Sequence, residues 1–242
     1  MKKTIVITGA SRGIGKAIAI ELAGKDTNIG INCVNNVDKL NEVKSIIEEK
    51  GSVCETFIGD MGNYSDVQKM FDMCLQRFGQ VDVLINNAGI SVVGLFQDMG
   101  ENEWHRICNT NIDSVFNCCH FAVKDMMKRH CGKIINISSV WGLYGASCEV
   151  AYSATKGAVN SFTKALAKEL APSGIQVNAV ACGAIDTEMN GHLSDDDKAS
   201  LAEEIPAGRF GSPQEVAKLV KSLSGMNSYL TGQIITLDGG WI

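Results

Sequence analysis

Thr4-Ile5-Val6-Ile7-Thr8 is a run dominated by β-branched residues, and it passes directly into Gly9-Ala10-Ser11-Arg12-Gly13-Ile14-Gly15. Behind the glycines, Ile14, Ala17, Ile18, Ala19 and Leu22 recur at helical spacing. A short β-branched run bounded by turn residues reads as a buried strand, and the following period reads as a helix. A strand, a glycine turn and a helix N-terminus in that order form an anion site. The first N–H groups of the helix have no internal partner, and the helix dipole adds positive potential at the same end. Glycines let the backbone approach a pyrophosphate closely. The spacing is G-x-x-x-G-x-G rather than G-x-G-x-x-G. Taken alone, the same residues also read as a plain turn with loosely placed glycines.

The pattern then repeats along the chain. Strand-like runs lie near 4–8, 28–34, 53–58, 81–86, 133–138, 175–181 and 233–237. Helix-like runs lie near 14–24, 38–50, 65–78, 101–130 with one break, 152–171 and 213–224. Such alternation predicts an α/β fold: a Rossmann-like, doubly wound, seven-stranded parallel sheet with helices on both faces. No linker or repeat divides the chain, so residues 1–242 are expected to form one nucleotide-binding catalytic domain. The stretch 183–212 reads as irregular and acidic, with Asp195-Asp196-Asp197 and Glu203-Glu204. A loop of that length is expected to be a lid, the other reading being a solvated helical hairpin. Ligands of such sheets bind at the carboxyl ends of the strands. Gly9, Asn86, Ser139 and Gly183 all fall there.

Tyr152 and Lys156 stand four apart on a predicted helix, so they share a face. A tyrosine hydroxyl has an ordinary pKa of about 10, and a nearby ammonium favours its phenolate. With Ser139 beside them, these groups can move a proton to or from an alcohol oxygen. YxxxK without further context also describes an ordinary surface helix.

Composition removes several classes. A formal net charge of −5 disfavours non-specific nucleic-acid binding. No apolar run has the length of a membrane span. The basic start Met1-Lys2-Lys3 precedes an apolar stretch too short for a signal peptide, so it reads as part of strand one. Nine cysteines without a CxxC pair argue for a reducing, cytoplasmic location. Cys118 and Cys119 read as core or interface thiols. His105, His120, His130 and His192 form no ligand pattern, so no catalytic metal is expected.

The motifs together resemble the short-chain dehydrogenase/reductases. Thr8-Gly9-x-x-x-Gly13-Ile14-Gly15, Asn86-Asn87-Ala88-Gly89, Asn111 in Thr110-Asn111-Ile112, Ser139, Tyr152 and Lys156 follow the family order and spacing over essentially the whole chain. The resemblance implies a catalytic set of Asn111, Ser139, Tyr152 and Lys156, with Asn111 helping to hold Lys156 and a water chain. It implies a nicotinamide cofactor against Gly9, Ser11, Arg12, Gly13, Ile14 and Gly15. Asn32, Asp60, Met61, Asn87, Ala88 and Gly89 are expected on its adenosine side, with Asp60 on the adenine edge. Lys156, Tyr152, Ile185 and Thr187 are expected on its nicotinamide and phosphate side. The family usually has Pro-Gly where this chain has Cys182-Gly183, which frees φ at that turn. Cys148 is expected to line a small apolar pocket.

The end of strand two, Asn32-Cys33-Val34-Asn35-Asn36, carries no carboxylate for a ribose 2′-hydroxyl, and Asp38 comes late enough to be a helix cap. Arg12 stands in the glycine loop, where it can meet a 2′-phosphate. These residues favour NADPH.

Within the family, the Thr231-Gly232-Gln233 turn and the ending Leu237-Asp238-Gly239-Gly240 resemble 3-oxoacyl-[acyl-carrier-protein] reductases. That likeness implies reduction of a 3-oxoacyl thioester, with acyl-carrier protein as a partner. Lys128-Arg129 matches one basic docking spot, whereas Ser173 stands at the second. The segment Val140–Val150 also resembles reductases of a 5-aminopentanone group on elongation factor P, to which Trp141, Glu149 and the acidic lid are suited. A non-catalytic nucleotide-binding regulator is the reading from another class. The likeness further implies a homotetramer. Val115, Phe116, Phe121, Val123, Phe162, Leu166 and Leu170 would supply one contact and a C-terminal strand ending Trp241-Ile242 the other.

Overall fold

The computed structural model describes residues 2–191, 193–225 and 229–242. His192 lies outside them. The strands are β1 (Lys3–Ile7), β2 (Thr27–Cys33), β3 (Val53–Ile58), β4 (Val83–Asn86), β5 (Gly132–Ser139), β6 (Ile175–Cys182) and β7 (Ile234–Leu237). They form one sheet in the order β3-β2-β1-β4-β5-β6-β7. Every pair is parallel. The sheet is therefore the doubly wound α/β architecture expected, and its strand order turns between β1 and β4. The helices are α1 (Gly13–Leu22), α2 (Val37–Glu49), α3 (Tyr64–Phe78), α4 (Glu101–Cys108), α5 (Ser114–Arg129), α6 (Trp141–Tyr144), α7 (Val150–Leu170), α8 (Asp195–Glu204) and α9 (Pro213–Gly225).

Alternation along the strands divides the core between two faces. Ile5 and Ile7 of β1 pack with Ile18, Leu40 and Val216 from α1, α2 and α9. Val6 between them faces Met70, Phe71 and Met126 from α3 and α5. Gly30 in β2 is required by this packing, because a Cβ there would lie 2.8 Å from Cys74 Sγ.

The break in the 101–130 helix is a five-residue π-turn, Asn109–Asp113, which joins α4 to α5 without ending the helical path. The 183–212 stretch is not wholly irregular. Ser194 and Asp197 close a capping box that starts α8, so the acidic run becomes the first turn of a helix, where carboxylates are favoured. The chain's last strand ends at Leu237, and Trp241 packs edge-on against Trp141, with ring centroids 4.9 Å apart. Asp38 lies in the first turn of α2 rather than at its cap, which is Asn36.

Several residues expected at a subunit contact belong to the protomer core: Val115 and Leu170 are buried, and Phe121 packs on Tyr64 and Phe71. Phe116 remains exposed.

Arg129 is likewise turned inward. Its guanidinium bonds Asp82 at 2.9 Å, Asp125 at 2.8 and 3.0 Å, and the Val81 carbonyl at 2.6 Å. Asp82 in turn accepts from the Thr4 amide, and Asp125 from the Val81 amide. Arg129 thus ties the start of β1 and β4 to the end of α5. It is not a free basic docking group. We expect Arg129→Met to lower unfolding stability by about 2 kcal/mol, because two largely buried carboxylates lose their partner. Chemical denaturation checks this. A variant as stable as the parent would mean that Asp82 and Asp125 are held by their backbone bonds alone.

Candidate active site

The glycine loop is shaped by its contacts to the segment after β4. Thr8 Oγ1 accepts from the Asn87 and Ala88 amides, both at 3.0 Å. Asn87 Nδ2 donates back to the Thr8 and Gly9 carbonyls. Gly9 and Gly13 adopt positive φ of 64° and 54°, which favours glycine. A Cβ on Gly15 would fall 2.3 Å from the Gly9 carbonyl, so that position admits no side chain. Arg12 flanks the start of α1 and supplies no side-chain cap. The first amides of a ten-residue helix therefore face the loop without a side-chain partner. Ser11 is buried, and Ile14 packs on the core behind the loop. This backbone shape and its unshielded helix end fit a dinucleotide pyrophosphate.

The proton-handling residues meet at the ends of β5 and β6. Ser139 is the last residue of β5, and its Oγ accepts from the Trp141 amide at 3.2 Å. That leaves its hydrogen free for the neighbouring Tyr152 oxygen, whose phenolate it favours. Lys156 is buried one turn further along α7 and donates to the Ile137 carbonyl at 2.9 Å. Its Nζ lies 5.5 Å from the centroid of the Tyr152 ring. Gly89 keeps the space before it clear: a Cβ there would lie 3.4 Å from both Lys156 Nζ and Asn111 Oδ1.

Electrostatics here differ from the expectation that Lys156 holds Tyr152 low. Burial of the hydroxyl dominates and pushes Tyr152 above the usual phenol range, and the Ser139 hydrogen bond pulls it back only in part. Burial also lowers Lys156 to about 8. The neighbouring Cys182 thiol is pushed up to about 12 by its own burial. Cys182 ends β6 in regular pairing, so the conformational freedom left by the absent proline is not used.

Asn111 sits in the π-turn and is buried. It clamps Ile90 through both backbone groups, accepting from the amide at 2.8 Å and donating to the carbonyl at 2.9 Å. It also donates to Thr155 Oγ1, which bonds the Tyr152 carbonyl. The π-turn thus lets one asparagine join the loop after β4 to the turn of α7 that carries Tyr152.

Several side chains expected on the cofactor are committed to protein contacts. Asn32 bonds the Cys33, Phe57 and Gly59 carbonyls and spans the ends of β2 and β3. Asp60 accepts from the Gly62 amide and from Asn109. Met61 and Ile185 are buried in the core. Asn87 is occupied as described above. Asn32, Met61, Asn87 and Ile185 offer a ligand backbone and shape, whereas the partly exposed Asp60 carboxylate keeps further acceptor sites. Thr187 lies over the glycine loop, its methyl 3.6 Å from where a Gly13 Cβ would stand.

Three groups at the cleft were not singled out from sequence. Lys39, in the first turn of α2, and Arg12 both bond Glu188, at 3.0 and 2.8 Å. Ser91 donates to Glu149, which lies close enough to Tyr152 to raise its pKa further. A cation in the first turn of the helix after β2 was a readable signal for Lys39. Nothing local marked Glu188 or Ser91. Among the described residues, no group of three or more His, Cys, Asp or Glu side chains is placed to hold a metal, and no helix is long and apolar enough to cross a membrane.

Comparison with known proteins agrees with this geometry. The family profile described as short chain dehydrogenase matches residues 3–198. A 3-oxoacyl-[acyl-carrier-protein] reductase of Staphylococcus epidermidis is 40% identical over 241 residues, covering 99% of each chain. A reductase of the same description from Staphylococcus aureus is also 40% identical, covering 99% of this chain and 98% of its own. One from Chlamydia trachomatis is 37% identical, covering 99% and 97%. With the glycine loop, the doubly wound sheet and the Ser139–Tyr152–Lys156 arrangement in place, these matches make the chain a member of the short chain dehydrogenase family, and an NAD(P)-dependent oxidoreductase.

Proposed function

We propose that the protein reduces a 3-oxoacyl thioester carried on acyl-carrier protein to the secondary alcohol, with NADPH, as one catalytic unit in the cytoplasm. The observation that carries this is the meeting of Ser139, Tyr152 and buried Lys156 at the strand ends. The full-length likeness to 3-oxoacyl-[acyl-carrier-protein] reductases supports the substrate class. The glycine loop and the start of α1 would hold the pyrophosphate, and Lys156 the nicotinamide ribose. Arg12 and Lys39, with no carboxylate at the end of β2, favour a 2′-phosphate. The bound nicotinamide supplies the hydride.

The remaining chemistry belongs to the chain. Tyr152, raised by burial, keeps its proton throughout the neutral range and gives it to the developing alkoxide. Ser139 turns its hydrogen to the same oxygen and stabilises the charge as it forms. The Lys156 ammonium stabilises the phenolate left on Tyr152. Asn111 is a positioning residue that fixes the turn carrying Tyr152.

Lys156 is charged below about 8 and neutral above it. Reduction is therefore expected to be level below that pH and to fall above it, as the charge that stabilises the phenolate is lost. NADPH oxidation with acetoacetyl thioesters, followed by absorbance from pH 6 to 10, checks both substrate and profile. No reduction of any 3-oxoacyl thioester, or a rate that climbs through pH 9, would contradict the proposal.

A second reading rests on Glu149 and Arg129. A carboxylate held by Ser91 beside Tyr152 suits a cationic amino-ketone, and Arg129 is not free to dock an acidic carrier. Reduction of the 5-aminopentanone on elongation factor P in preference to acyl thioesters would favour it.

We also propose a homotetramer. Phe116, Met127 and Val150 are exposed apolar groups on α5 and α7, the surface a partner would cover. Light scattering at micromolar concentration should give the tetramer mass. A monomer mass would leave those residues simply solvated.

A further inference from the structure

The segment after β6 crosses the glycine loop as a strap. Its root is fixed: Ile185 pairs with Gly211, the Asp186 amide donates to the Gly211 carbonyl, and Asn190 Nδ2 donates to the Ile185 carbonyl. Its tip is held differently. Glu188 Oε2 accepts from Arg12 Nη1 at 2.8 Å, and Glu188 Oε1 accepts from Lys39 Nζ at 3.0 Å. One carboxylate thus joins the glycine loop, the start of α2 and the strap. All three side chains are about half exposed. The strap's other side is not packed down. A cavity of about 400 Å³ lies between Gly13, Lys16, Ala17 and Ile20 on one wall and Thr187 and Glu188 on the other.

We infer that Glu188 is an internal anion occupying the cation pair that receives the cofactor's 2′-phosphate, so that NADPH binds by exchanging phosphate for carboxylate and freeing the strap tip. This rests on the proposed preference for NADPH. Arg12 and Lys39 are the two cations flanking the end of β2, where the adenine ribose of such a fold lies. A phosphate near −2 outcompetes a single carboxylate for two cations, and Arg offers it a fork of donors. The exchange conserves the ion pairs rather than adding them. Glu188 therefore weakens binding of a 2′-phosphate selectively. A nucleotide lacking that phosphate leaves Glu188 in place. The low carboxyl pKa of Glu188, set by its bonds to Arg12 and Lys39, keeps it anionic at neutral pH. The cavity behind the strap gives the displaced side chain somewhere to go, with Lys16 on its wall.

Calorimetry with 2′,5′-ADP and 5′-AMP tests this without turnover. Glu188→Gln keeps the side-chain length and removes its charge. It should tighten 2′,5′-ADP by about two- to tenfold, the range set by two exposed ion pairs, and leave 5′-AMP unchanged. In an Arg12→Ala background the gain should shrink, because the two residues act as a unit. NADPH and NADH dissociation constants should follow the same pattern. Unchanged or weaker 2′,5′-ADP binding, or an equal change for both nucleotides, would overturn the inference. The parent protein separates this from failure of the NADPH reading. If it prefers 2′,5′-ADP to 5′-AMP, and loses that preference in Arg12→Ala or Lys39→Ala, the reading stands whatever Glu188→Gln does. If it shows no preference, both fall.

Discussion

The Thr8 hydroxyl accepts from two successive amides after β4, and Asn87 returns two bonds to the carbonyls of Thr8 and Gly9. These four contacts join the carboxyl ends of β1 and β4, between which the strand order turns. A parallel sheet opens a crevice at such a point, because successive crossovers leave in opposite directions. The crevice has a defined floor only if the two strand ends are held together. Gly15 fits under the Gly9 carbonyl, α1 begins without a side-chain cap, and Gly89 lies where a Cβ would touch Lys156 and Asn111. Ser139, Tyr152 and Lys156 reach the same crevice from β5 and α7, with Asn111 connecting that side to the loop after β4.

Burial then sets the chemistry. Tyr152 is raised and Lys156 lowered, each because its charged form is poorly solvated. The first shift keeps a proton available for an alkoxide. The second puts the loss of the ammonium within reach of ordinary assay pH. Tyr152 therefore carries its proton at neutral pH, as donation to an alkoxide requires.

Much of this was legible in the chain. β-Branched runs marked all seven strands because both faces of a parallel sheet are covered, and glycine spacing marked the loop because few residues tolerate its backbone. What was hidden depended on contacts distant in sequence. Asn32, Asp60 and Asn87 stand where a cofactor would lie, yet their side chains bond protein groups brought there by other strands. Arg129 looks like surface charge until Asp82 and Asp125 fold against it. Glu188 meets Arg12 across 176 residues and Lys39 across 149. The capping box of α8 was local and readable, but an acidic run conceals a helix when its first turn is taken for a loop.

Tyr152 is the proposed proton donor. Tyr152→Phe removes one oxygen from the catalytic wall and leaves the glycine loop, Arg12 and Lys39 untouched. Binding of NADPH measured by fluorescence, together with single-turnover reduction of an acetoacetyl thioester, tests the claim directly. Cofactor affinity should be nearly unchanged and the chemical step slowed by about 10²- to 10⁴-fold, the usual contribution of a positioned acid. A chemical step that keeps the parent rate would contradict this role and move the proton donor to another group.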